Sequence, residues 1–129
     1  MRSIAGISIR GARVFVARRS QGGDMGGKWE FPGGKREAGE GDEAAALREF
    51  DEEFGLSIMA GAVIGESSFA NNGKAYELAA ILVSFEGEPA FLREHVECRW
   101  VGAEELVELD LADSDRSLLA FVLPLLIVS

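Results

Sequence analysis

The chain has 129 residues, 47% of them hydrophobic and 27% charged, and its net charge is −9. That length holds one domain, 1–129, whose folding would bury roughly two-thirds of the unfolded surface. The acidic balance argues against nucleic acid as a partner, which calls for a basic footprint, and makes any phosphate binding depend on added cations. Cys98 is the sole cysteine. An intramolecular disulfide is therefore excluded, and a reducing cytoplasm fits.

Two β-prone runs open the chain, Ile4–Ile9 and Ala12–Ala17, separated by Arg10-Gly11. They read as a hairpin or as adjacent strands. The N-terminus has no sustained apolar run of the kind a signal peptide carries. Ser20–Lys28 is rich in Gly and polar residues and reads as a loop. Within it Gly22–Lys28 has P-loop spacing, but Trp29 stands where Ser or Thr is required, and Pro32 follows too soon for a long helix. A helix is expected over Asp42–Phe54, with Gly55 as its C-cap. Strands are expected near Ile58–Phe69 and Ala75–Phe85, joined at Asn71-Asn72-Gly73. Glu86–Pro89 is a turn, Glu97–Val101 a short strand and Ala103–Leu109 a short helix. A last helix is expected from about Asp115, capped by Asp113 or Ser114 and apolar nearly all round. Its apolar run, Leu118–Val128, contains Pro124 and is too short to span a bilayer. Exposed on a surface, that helix would suit a homodimer contact.

The helix at 42–54 carries the chemistry. Glu49, Glu52 and Glu53 stand at i, i+3 and i+4, so at about 100° per residue they share one face. Leu47, Phe50 and Phe54 fall opposite, with Ala44 at the edge. Unit charges ~4 Å apart repel by about 1 kcal/mol in water and roughly four times that at a partly buried site. A solvated acidic face is one reading of this cluster. A divalent cation reversing the sign of the repulsion is the other. Oxygen-only ligands suit Mg²⁺ or Mn²⁺ rather than zinc. Upstream, Gly33-Gly34 gives a tight turn and lets backbone approach a ligand closely. Glu40 precedes the helix, and Asp42 and Glu43 complement its dipole.

The run Gly34, Glu40, Arg48, Glu49, Phe50, Glu52, Glu53, Gly55, Leu56 resembles the Nudix box at each of its specified positions. Trp29–Lys35, Glu86–Pro89, Trp100 and the start of the last helix extend the resemblance toward the MutT-like branch. The fold it implies is α/β, an α/β/α sandwich with a mixed β-sheet between helices. The activity it implies is attack by water on a nucleoside polyphosphate, giving a nucleoside monophosphate and pyrophosphate. Positions matching Glu49, Glu52, Glu53 and the Gly33 carbonyl bind Mg²⁺, with Glu94 as a further ligand from a late loop. Glu49 is the implied general base. Arg48 orients the carboxylates, with Glu52 as its expected partner four residues on. The lone His95 reads as a polar loop residue.

The same resemblance makes Arg19 a phosphate contact, with Arg18 as its solvent-facing neighbour. Phe31 stacks on a base or packs in the core. Asp115 reads a base edge or caps a helix. As an acceptor only, Asp115 favours an exocyclic amino group such as cytosine's. The Asn71–Lys74 turn also lacks the aromatic and Asp-Arg residues of some MutT enzymes. A CTP or dCTP substrate therefore stands level with 8-oxo-dGTP. Two alternatives are a non-catalytic nucleotide-sensing module and an enzyme for another nucleoside diphosphate derivative.

Overall fold

A computed structural model describes residues 1–22 and 26–127. Gly23, Asp24 and Met25, in the expected loop, and Val128, in the apolar tail, lie outside the described residues. The elements are β1 (Arg2–Ile7), β2 (Ile9–Arg10), β3 (Arg13–Arg19), β4 (Trp29–Glu30), β5 (Gly33–Lys35), α1 (Asp42–Phe54), β6 (Met59–Asn71), β7 (Lys74–Ser84), β8 (His95–Val101), α2 (Ala103–Glu108), α3 (Asp113–Arg116), α4 (Leu119–Val122) and a 3-10 turn (Leu123–Leu126).

The expected mixed sheet between helices is present, and the strands divide into two groups. One sheet runs β5-β1-β7-β6. Its β1 and β7 are parallel, with Ile4 opposite Ala79, and its other pairs are antiparallel. In the other, β3 pairs antiparallel with β2, β4 and β8. The two opening runs therefore belong to different sheets. The hairpin joins only β2 to β3, across Gly11 with φ of 59°.

Side chains alternate between the two faces, as the pleat requires. Ile4, Phe15, Ala17, Ala79 and Ile81 pack under α1 against Ala45, Ala46, Phe50 and Phe54. Ala5, Ile7, Val14, Val16, Leu78 and Ala80 pack against Leu106, Leu118, Val122 and Leu126. Leu47 was expected in the α1 stripe but is 42% exposed; Ala45 and Ala46 stand in its place. The buried stripe follows 46, 50, 53 and 54, and this draws Glu53 into the interior.

The last helix is not continuous. Leu118 N–H donates to the Asp115 carbonyl and Phe121 N–H to that of Leu118, both spanning three residues. Pro124 brings no N–H, and the chain tightens into the 3-10 turn. Neither Asp113 nor Ser114 caps α3 with its side chain. Among the described residues no helix is long and apolar enough to cross a membrane. The P-loop-like stretch ends in a turn at Gly26-Gly27 and leads into β4, not a helix.

Candidate active site

One cleft of about 760 Å³ gathers Arg19, Gly33, Arg48, Glu49, Glu52, Glu53 and Glu94. Three elements build it. The first is β5, held against β1. A methyl at Gly33 would lie 2.0 Å from the Ile4 carbonyl oxygen, and one at Gly34 would lie 2.6 Å from Glu49 Oε1. The glycines were expected in a tight turn; they lie in a strand, and close packing is what requires them.

The second element is α1. Arg48 grips Glu40 with both arms of its guanidinium, Nε to Oε2 at 2.7 Å and Nη2 to Oε1 at 2.9 Å. It also donates to Glu49 at 2.9 Å and to the Lys35 carbonyl at 3.0 Å. The expected partner, Glu52, is the longer contact at 3.4 Å. Planar fork-to-carboxylate pairing explains the preference for Glu40. The fork holds the Glu40 carboxyl down at about 2.

The third element is the loop before β8. It is tied to the end of α1, where Ala90 N–H donates to the Phe54 carbonyl and Arg93 N–H to that of Glu53. Gly55 makes room for it, since a methyl there would lie 2.7 Å from the Phe91 ring. Its φ of 65° closes the helix as expected.

Glu53 is the unusual member. It is 8% exposed, and its Oε2 is buried without a hydrogen-bond partner. Burial, then the charges of Glu49, Glu30 and Glu94, push its carboxyl up to about 8. Burial also raises that of Glu49, against the pull of Arg48. Among the described residues no three acidic, His or Cys side chains close around one point. An orphaned buried carboxylate oxygen and an oxygen-only donor set nonetheless fit a hard divalent cation.

Two residues escaped the sequence reading. His95 is not in a loop; it opens β8, is 4% exposed and stacks on Phe54 with ring centroids 5.1 Å apart. Its Nε2 lies 2.9 Å from Glu30 Oε2. The Arg18/Arg19 register shift between β3 and β8 breaks the two-residue alternation that would have placed it. Glu30 sits within reach of Arg19, at 3.5 Å, and its charge acts on both Glu53 and Asp115. An acidic residue between Trp29 and Phe31 was the available signal.

Phe31 is 2% exposed and belongs to the core, so it offers no face to a base. Asp115 is buried too. Its Oδ1 accepts from the Phe31 N–H at 2.9 Å, and Ser114 Oγ lies 3.3 Å from Oδ2. Burial, then Glu30, raise its carboxyl to about 7. The raised value favours the acid form, which can donate, whereas the acceptor-only expectation holds for the anion. Beside α3, Ser67, Phe69, Asp113, Ser114 and Ser117 line a separate cavity of about 290 Å³.

The NUDIX domain model matches residues 1–122. The chain belongs to the Nudix family of hydrolases. A Mycobacterium tuberculosis protein provisionally named 8-oxo-dGTP diphosphatase 2 is 39% identical over 120 residues, covering 91% of this chain and 84% of that protein. The CTP pyrophosphohydrolase of Escherichia coli is 31% identical over 116 residues, covering 90% and 86%. The solution structure of the E. coli ORF135 protein superposes with a TM-score of 0.85 at 31% identity, covering 96% of this Nudix chain and 89% of that one. The expected family and fold therefore hold. Nudix hydrolases generally use divalent metal ions, in keeping with the donor set above.

Proposed function

We propose that this Nudix protein is a Mg²⁺-dependent nucleoside triphosphate pyrophosphohydrolase that yields a nucleoside monophosphate and pyrophosphate. One observation carries the reading. Glu53 is buried beside Glu49, with Glu30 and Glu94 close enough to raise its carboxyl, and one of its oxygens has no partner. Such an arrangement is costly alone and favourable around a cation.

Glu49, Glu52, Glu53, Glu94 and the Gly33 carbonyl would hold the ion; Mn²⁺ meets the same donors. When bound, it supplies neutralisation of phosphate oxygens and makes water more acidic. Glu49 accepts the proton of the attacking water. Arg48 fixes the Glu49 and Glu40 carboxylates, and Arg19 meets the phosphates. Asp115 reads the base edge, accepting from an amino group as the anion; burial, which favours its acid form, adds a donor toward a carbonyl. We take the substrate to be 8-oxo-dGTP or CTP/dCTP, the classes in the names of the two relatives, in a cytoplasmic nucleotide-sanitising role.

A panel of natural and oxidised nucleotides, ranked by kcat/KM with and without EDTA, tests this. One of these classes should rank first and EDTA should abolish turnover. Turnover of none of them, or turnover indifferent to EDTA, would refute it.

A further inference from the structure

We infer that Arg93 is a phosphate-binding residue of this cleft, one that grips the pyrophosphate portion of the substrate. The inference rests on the pyrophosphohydrolase reading and names a contact within it. Arg93 lines the cleft beside Glu53 and Glu94. Its backbone is pinned from both sides. Its N–H donates to the Glu53 carbonyl at 3.1 Å, and the next residue's carbonyl accepts from Ser20 N–H at 3.1 Å and Ser20 Oγ at 3.2 Å. A loop arginine is thereby set at a fixed place between the end of α1 and the end of β3.

Two other cleft arginines are held, Arg48 by Glu40 and Glu49 and Arg36 by Asp42 at 3.0 Å, while Arg19, already assigned to the phosphates, has a looser 3.5 Å contact with Glu30. Arg93 makes no ion pair among the described residues. Its guanidinium lies 5.4 Å from the exposed Phe91 ring and is itself solvent-facing. Unpaired in a cleft rich in carboxylates, its five donors are available to an incoming anion. The contact contributes to binding, with no proton or covalent step assigned to it.

The test is calorimetric titration of the full chain with pyrophosphate at saturating Mg²⁺, alongside steady-state kinetics. Arg93→Ala should weaken pyrophosphate binding by about tenfold and raise KM similarly, as for loss of one charge-assisted contact. Its kcat and melting temperature should stay near wild type. Arg93→Lys should recover part of the loss. Arg13→Ala, which removes the same charge from an exposed position on β3 outside the cleft, should change neither. Wild-type affinity in Arg93→Ala, or an equal loss in Arg13→Ala, overturns the assignment while leaving the enzymatic reading intact. A wild-type chain that neither binds pyrophosphate nor cleaves nucleotides would overturn both.

Discussion

Glu53→Gln should stabilise the metal-free protein and remove part of its response to magnesium. In the folded chain the Glu53 carboxyl is raised to about 8 from an ordinary 4.5. Folding therefore disfavours its ionisation. Stability is full below pH 4.5, falls as pH rises, and levels off above 8. At pH 7 the loss covers 2.5 pH units at ~1.4 kcal/mol each, or about 3 kcal/mol as a ceiling. Glutamine abolishes the titration and places a donor beside the Glu49 carboxylate. For a domain of this size 3 kcal/mol corresponds to roughly 10 °C in Tm. The assay is thermal melting from pH 5 to 9, with EDTA or Mg²⁺. Wild type should lose Tm with rising pH in EDTA and regain it with Mg²⁺, by about 2.7 kcal/mol at a hundred times Kd. The variant should start higher, stay flatter and respond less. A variant that melts at or below wild type throughout, or gains equally from Mg²⁺, would refute the reasoning.

Gly34→Ala brings a methyl against the Glu49 carboxylate, so kcat should fall by roughly a hundredfold while Tm changes little. Gly33→Ala meets backbone instead, at the Ile4 carbonyl, and should cost about 3 kcal/mol in urea unfolding. Arg48→Lys loses the fork, so an NMR titration should find the Glu40 carboxyl risen from about 2 toward its ordinary value. Asp115→Asn keeps an acceptor for the Phe31 N–H but cannot titrate. Its kcat/KM should stay flat between pH 6 and 8, where the wild-type profile bends near 7.

Local signals were legible where local physics decides. Helix α1 occupies Asp42–Phe54 with Gly55 left-handed behind it, as its apolar spacing and cap foretell. The β6–β7 hairpin turns at Asn72 and Gly73, both at positive φ, which these residue types tolerate best. The cleft carboxylates were legible from box spacing, and they do meet in one cleft. Long-range choices were hidden. Strand β1 takes β5 and β7 as partners and leaves β3 to β8, a pairing that no local pattern encodes. Arg48 prefers Glu40, on the loop that folds back over α1, to Glu52 on its own helix. The contact between Glu30 and His95 depends on a register shift, and the depth of Phe31 and Asp115 depends on α3 closing over β4.

Magnesium-dependent cleavage by the α1 carboxylates can be read directly by ³¹P NMR of wild type and Glu49→Gln given the preferred nucleotide and Mg²⁺. Wild type should produce pyrophosphate and nucleoside monophosphate in equal amounts, while Glu49→Gln binds nucleotide and leaves it intact. Orthophosphate with a nucleoside diphosphate, or undiminished pyrophosphate from the variant, would contradict the account.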